Sequence, residues 1–296
     1  MAQRLYSGDH PEIARMLTCL GFARRALGRN EETESCYEQA LAMRQRLYPE
    51  DHPDVAKSLN NLAFVREALG KREAAEPLFE AAIEMIQRVY PGDHPDLAGS
   101  LSNLALLRLD LGRAEDVVPM LRDALAMRQR FFEGDHPEVA QSLNNLAYAF
   151  RESGRAGEAE PVFVEALAMT MRLFPGDHPD VAQCLNNLAG VRRTLGRTEE
   201  ALALFERAVA MSRGVFPGDH PFTALCLNNL AMARHDLRQG NAALRANREA
   251  LAMARRCLPR GHPERERIKQ NRRHIRNGLR RARDDDDSGP RLRLVR

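Results

Sequence analysis

The chain has no tryptophan among its 296 residues, and aromatic side chains make up only 5% of it. With 44% apolar residues it can still bury a large core, but that core has to be built from small aliphatic side chains, as packed helices allow. The five cysteines, Cys19, Cys36, Cys184, Cys226 and Cys257, form no Cys-x-x-Cys pair. They read as reduced core fillers of a cytoplasmic protein, not as a disulfide framework or a metal site. No apolar run approaches the roughly 20 residues of a membrane-spanning helix, and nothing resembles a signal peptide. A Gly-x-x-x-x-Gly-Lys loop, a Gly-x-Ser-x-Gly elbow and a His-Glu-x-x-His pair are all missing, and the carboxylates scatter over polar helix faces. These absences argue against an enzyme, and no cofactor or metal is implied.

What the chain does have is one motif copied at a fixed step. Histidine followed by proline recurs every 42 residues, at His10, His52, His94, His136, His178, His220 and His262, usually after aspartate. A unit this short cannot bury its own apolar face, so neighbouring copies must stack into an elongated array. The histidines do not form a metal site, because each lies in a different unit while Zn–N distances are only about 2 Å. His235 and His274, outside the register, lack partners at ligand spacing.

Each unit reads as two helices. In residues 52–94, Pro53 suits a first helical turn and Asp54 suits the positive end of the helix dipole. Val55, Leu59, Leu62, Val65 and Leu69 then follow at helical spacing, and Gly70 stops helix A. Helix B resumes with Ala75, Leu78, Phe79, Ala82, Ile83 and Met85, and Pro91-Gly92-Asp93 ends it. The stop glycine recurs as Gly28, Gly112, Gly154 and Gly196, and the small residue at Ala82 as Ala40, Ala124, Ala166, Ala208 and Ala250.

The order Leu59-Asn60-Asn61-Leu62-Ala63, then Gly70, Ala75, Phe79 and Ala82, resembles the tetratricopeptide repeat, in the long 42-residue form of kinesin light chains. The resemblance covers residues 1 to about 262 and implies an all-α, right-handed α-solenoid. Six hairpins are expected over 11–262, preceded by the remnant of a helix B over 1–10. A basic capping helix is expected over 263–283 and a disordered tail over 284–296. Two irregularities stand out. Arg238 replaces the stop glycine, with Gly240 two residues later, so the sixth internal turn is expected to be altered. An arginine, Arg24, Arg66, Arg108, Arg192 or Arg234, also sits in the apolar stripe. It is expected either to bond Glu31, Glu73, Glu115 or Glu199 across its own turn, or to cap the last carbonyls of helix A.

The candidate site is a row of asparagines on helix A: Asn60 and Asn61, Asn103, Asn144 and Asn145, Asn186 and Asn187, Asn228 and Asn229. Asparagine is a poor helix former, so its retention in mid-helix has a cost. Its amide offers a donor and an acceptor, which matches a peptide backbone. By the resemblance, helix A lines a concave groove and the second asparagine contacts peptide; the alternative is that the amides bond neighbouring helices and hold the stack. Lys57, Arg151 and Arg193 flank the row, the two arginines as anchors for an acidic ligand residue. The expected function is therefore a scaffold holding an extended segment of a partner protein, with self-association through an apolar N-terminal end as a further possibility.

Charge is divided unevenly. Residues 255–296 hold 15 Lys/Arg and 6 Asp/Glu, a net of +9, which leaves 29 against 35, or −6, for the first 254. Phosphate attraction by Arg272, Arg273, Arg276, Arg280, Arg281 and Arg283 is the alternative function, but nucleic acid is disfavoured because no aromatic platform or binding module accompanies them.

Overall fold

A computed structural model describes residues 8–113 and 115–287, with side chains as far as Arg281. Among them are thirteen α-helices and no strand. The segment expected to be a helix B remnant lies largely outside the described residues, as does the tail from 288.

The chain forms two compact units, residues 1–153 and 154–296. The first holds α1 (Pro11–Ala26), α2 (Asn30–Leu47), α3 (Pro53–Ala68), α4 (Arg72–Val89), α5 (Pro95–Asp110), α6 (Val117–Phe131) and α7 (Pro137–Glu152). The second holds α8 (Ala156–Leu173), α9 (Pro179–Thr194), α10 (Thr198–Val215), α11 (Pro221–Asp236), α12 (Gly240–Cys257) and α13 (Pro263–Asp287). Within each unit every helix packs on the next in sequence, and α3 with α5, α5 with α7, α9 with α11 and α11 with α13 also touch. Each unit is thus a stack of helix pairs in an all-α repeat solenoid. The helices approach closely at the recurring alanines, Ala40, Ala82, Ala124, Ala166, Ala208 and Ala250, which are at most 1% exposed.

The repeated Asp-His-Pro motif is a device for starting helix A. At His52, His94, His136, His178 and His220 the imidazole Nδ1 accepts the amide hydrogen two residues on, at 3.1–3.2 Å, as an Asn or Ser cap would with its oxygen. The same ring stacks on the aromatic residue four positions earlier: Tyr48, Tyr90, Phe132, Phe174 and Phe216 lie 3.5–3.8 Å from it, centroid to centroid. Proline then occupies the first helical turn. The preceding aspartate reaches the following helix B, where Asp9 takes Arg46 at 2.6 Å and Asp51 takes Arg88 at 2.5 Å; Asp93 takes Arg130 and Asp219 takes Arg256 in the same way.

Gly28, Gly70, Gly112 and Gly196 end their helices with φ between +72° and +79°. The sixth turn, expected to differ, does not. Arg238 itself takes the left-handed conformation with φ +59°, and Gln239 donates to the Arg234 carbonyl just as Lys71 donates to that of Arg66. Gly240 serves another purpose. A Cβ there would lie 2.4 Å from Leu279 Cδ2, so glycine lets α13 close onto α12.

Four arginines of the apolar stripe, Arg66, Arg108, Arg192 and Arg234, pair backward across the repeat boundary, and Arg192 also reaches across its own turn, to Glu200 at 3.3 Å, one residue beyond the expected Glu199. Arg66 bonds Glu34 at 3.1 Å and Glu38 at 2.9 Å, Arg108 bonds Glu76 at 3.1 Å and Glu80 at 2.8 Å, and Arg192 bonds Glu160 at 3.0 Å. Arg234 bonds Glu206 at 3.0 Å. Lys71, Arg113 and Arg197 reach the same glutamates from the turn, so Glu34, Glu76 and Glu160 are each gripped by two cations. Burial pushes the Glu34 carboxyl up, but the bonds from Lys71 and Arg66 outweigh it and hold the group below the usual carboxylate range. Phe150 stands where the fourth arginine would, and Arg122, in the register of Glu38 and Glu80, lies over its ring at 5.6 Å. Arg24 pairs instead with Glu32, at 3.3 Å.

Helix α13 is a further helix A. His262 caps it, Asn271 and Arg276 fall in the registers of Asn229 and Arg234, and Ile268 and Ile275 are fully buried. Arg280 takes the place of the stop glycine, and the helix runs on to Asp287 instead of ending at 283.

Candidate functional site

The two asparagines of each pair have different fates. They are one residue, or about 100°, apart on the helix, and that rotation turns the first into the contact between successive A helices. Asn144, Asn186 and Asn228 are 6%, 5% and 1% exposed. Asn228 Oδ1 accepts from Asn247 at 3.1 Å and from Asn271 at 3.2 Å, and Asn186 Oδ1 accepts from Asn229 at 3.0 Å. Asn60 is half-buried and donates to Ser100 Oγ on α5 at 2.6 Å. Asn144, Asn186 and Asn228, read from the sequence as groove residues, are therefore sealed inside the stack, whereas Asn60 keeps its bond to Ser100 and still lines the cleft described below.

The second asparagines, Asn61, Asn103, Asn145, Asn187 and Asn229, are all half-buried. In the second unit Asn229 is spent on Asn186. In the first, Asn145 accepts from Gln141 at 2.8 Å, whereas Asn61 and Asn103 make no hydrogen bond with any described residue. These two amides open into a cleft of about 480 Å³, between α1, α3 and α5 and the ends of α2, α6 and α7.

The floor of that cleft holds two residues that the sequence reading missed. Arg44 and Arg128, on α2 and α6, are only 9% and 8% exposed. Arg44 donates to Ser58 Oγ at 2.6 Å and Thr18 Oγ1 at 3.2 Å, and Arg128 to Ser142 Oγ at 2.6 Å. Burial pulls the pKa of both guanidinium groups down, though in Arg128 the Glu138 carboxylate at 3.1 Å counters this. Their register carries Ile86, Thr170, Ser212 and Ala254 elsewhere, so a break in the repeat was the available signal. Lys57 stands at the rim, paired with Asp96 at 3.3 Å. Beside the cleft Arg25 is held between Phe22 and Phe64, 5.6 and 4.8 Å from the ring centroids.

Arg151 and Arg193 are not free anchors. Arg151 lies over the Tyr148 ring at 4.8 Å and pairs with Glu152 at 2.8 Å, and Arg193 pairs with Asp236 at 2.6 Å. Cys36, Cys184 and Cys226 are buried core fillers as expected, whereas Cys19 is exposed and Cys257 half-buried. Burial pushes the thiols of Cys184 and Cys226 up to about 11 and about 12, which keeps them protonated. His235 and His274, unconnected in the sequence, meet edge to face at 4.8 Å, but among the described residues no cluster of three or more ligand side chains could hold a metal. No helix there is long and apolar enough to cross a membrane.

A family model described as Tetratricopeptide repeat matches residues 12–88, 54–130, 96–172, 158–214 and 180–256. No curated protein matches the chain. Among solved structures, BtubC (BKLC) from P. vanneervenii superposes with a TM-score of 0.65 at 24% identity, covering 79% of this chain and 94% of that one. A kinesin-light-chain-type set of nearly identical TPR-like repeats from Podosopora anserina gives 0.58 at 23% identity, covering 71% of this chain and 100% of that one. A Rap protein complexed with Competence and Sporulation Factor gives 0.65 at 15%, covering 94% and 78%. At these identities the likeness is one of fold.

Proposed function

Because this chain belongs to the tetratricopeptide-repeat family, whose members typically serve as protein–protein interaction scaffolds, we propose that its first unit holds an extended peptide segment of a partner protein in the cleft at Asn61 and Asn103. The observation that carries this reading is the contrast between those two uncommitted amides and the committed ones elsewhere. A half-buried amide with both groups unspent is ready to take a backbone carbonyl and an N–H from an incoming strand. The solved Rap protein, which holds Competence and Sporulation Factor, supports the reading by analogy of fold. The protein acts by binding and not as an enzyme.

An acidic ligand, expected from Arg151 and Arg193, has weaker support, since both guanidiniums already hold carboxylates. The cleft lining sets Arg44, Lys57 and Arg128 against Asp54, Asp96 and Glu138 and is close to neutral. Selection there rests on backbone hydrogen bonds and fit more than on charge.

The test is to pan a displayed library of linear peptides on the whole protein and measure the enriched peptides by calorimetry. Asn61→Ala/Asn103→Ala is expected to weaken them about tenfold or more, at about 0.5–1.5 kcal/mol for each lost hydrogen bond, with an unchanged unfolding curve. Equal affinity for that variant would remove the cleft from the function.

Self-association is a second reading, supported by one face of α1 and the residue that caps its end, where Met16, Leu20 and Leu27 are 44%, 44% and 70% exposed. Sedimentation of the wild type against Leu20→Lys tests it, and a wild-type monomer at high concentration excludes it.

A further inference from the structure

Arginines in the helix pairs are, as a rule, matched with acids. Arg46, Arg88, Arg130 and Arg256 hold aspartates, and Arg66, Arg108, Arg192 and Arg234 hold glutamates. At the C-terminal end of the second unit the rule lapses. Arg248 and Arg255 of α12 and Arg272, Arg273 and Arg276 of α13 make no ion pair with any described carboxylate. The acids around them are taken: Asp219 by Arg256, Glu249 by Arg213, Glu264 by Arg267 and Glu266 by Lys269.

Four of these guanidiniums form one cluster. Arg272 is half-buried, its Nε is buried without a hydrogen-bond partner, and its neighbours are Arg248, Arg255 and Arg276. Burial and then the charges of those three pull its pKa down. The backbones beneath cannot drift apart to relieve the repulsion. Asn247 Nδ2 ties α12 to the Ile268 carbonyl of α13 at 3.1 Å, and Ile275 packs with Ala231, Ala243 and Ala246. Like charges fixed together without counter-ions favour an anion that bridges them.

The chemistry of the surface narrows the occupant. Ile268 and Ile275 are fully buried, so the basic face has no apolar residue to enter a bilayer. No phenylalanine, tyrosine or tryptophan lies among the arginines, and the His274 ring meets His235 edge to face, so unstacked bases find no open run of stacking platforms. Arg272 or Arg273, then Arg276, follow one another at about a helical turn, roughly 5–6 Å, which suits a polymer of closely and regularly spaced charge. We propose that the α12–α13 face is a docking site for the phosphate backbone of a nucleic-acid duplex, contacted without reading its bases.

The full chain is titrated into a fluorescently labelled mixed-sequence DNA duplex by anisotropy over a series of salt concentrations. Binding in the micromolar range at low salt is expected, with log K falling against log salt by a slope of about −3 to −4 for about four phosphate contacts. Arg248→Gln/Arg276→Gln, both at exposed positions, should flatten that slope by about 2 and weaken binding at least tenfold at low salt, with the unfolding curve preserved. Asn61→Ala/Asn103→Ala should bind the duplex as the wild type does, so this site and the peptide cleft stand or fall separately. No binding at low salt overturns the proposal, as does wild-type affinity in the arginine variant. Vesicles containing phosphatidylserine and a polyglutamate peptide are run at the same salt, and tighter binding to either one than to the duplex also overturns it.

Discussion

At the residue scale, the chain reuses a small set of side-chain devices, and the histidine cap is the clearest. An imidazole whose Nδ1 accepts an amide hydrogen must keep that nitrogen unprotonated, so the cap is linked to pH. Burial lowers the pKa of His220 from 6.5. The folded state therefore resists a proton that the unfolded chain accepts, and the contribution is complete above about pH 6.5 and lost as pH falls below it. Chemical unfolding at pH 7.5 and pH 5 should show this loss, and His220→Asn, which keeps a cap acceptor without a titrating ring, should show less of it. A second residue stores strain. A left-handed non-glycine residue costs about 1–2 kcal/mol, so Arg238→Gly should stabilise the protein by about 1 kcal/mol in urea unfolding, after allowance for glycine's greater freedom in the unfolded chain. Both residues could be placed from the sequence. What could not be read there is that the sixth turn forms despite Arg238, because the helices on either side dictate its path.

At the scale of the element, the coupling between one hairpin and the next rests on apolar contact and on a charged clip. Arg66 and Glu34 are 24% and 12% exposed, so screening leaves the pair stronger than an open surface bridge, at about 1 kcal/mol. A double-mutant cycle should find that coupling between Arg66 and Glu34 and none between Arg66 and Glu73. The opposite result would restore the pairing across the turn that spacing alone suggested. The glutamate was missed because its distance along the chain, 32 residues back, has no meaning until the stagger of stacked hairpins is known. Substitution of Phe150 together with Arg122 shows the same contact rebuilt from a ring and a cation.

For the molecule as a whole, a repeat array gains its stability from neighbours, and among the described residues α13 packs on α12 and α11. Ile275 is completely buried in the α13 contact with α11 and α12. Ile275→Ala should cost about 2–4 kcal/mol, and hydrogen exchange should show the loss of protection in α11 and α12 while α3 to α5 keep theirs. The sequence by itself determined the period, the bounds of helices A and B, the family and the row of asparagines, because each of these is set by local rules: helical spacing, a proline start and a glycine stop. It could not decide which asparagine of a pair is sealed, which glutamate an arginine takes, or that Asn271 extends the row into what read as a mere cap. Those depend on how one helix lies against the next. A single step of about 100° around a helix separates a residue that faces a neighbour from one that faces a cleft, and only the packed structure fixes that rotation.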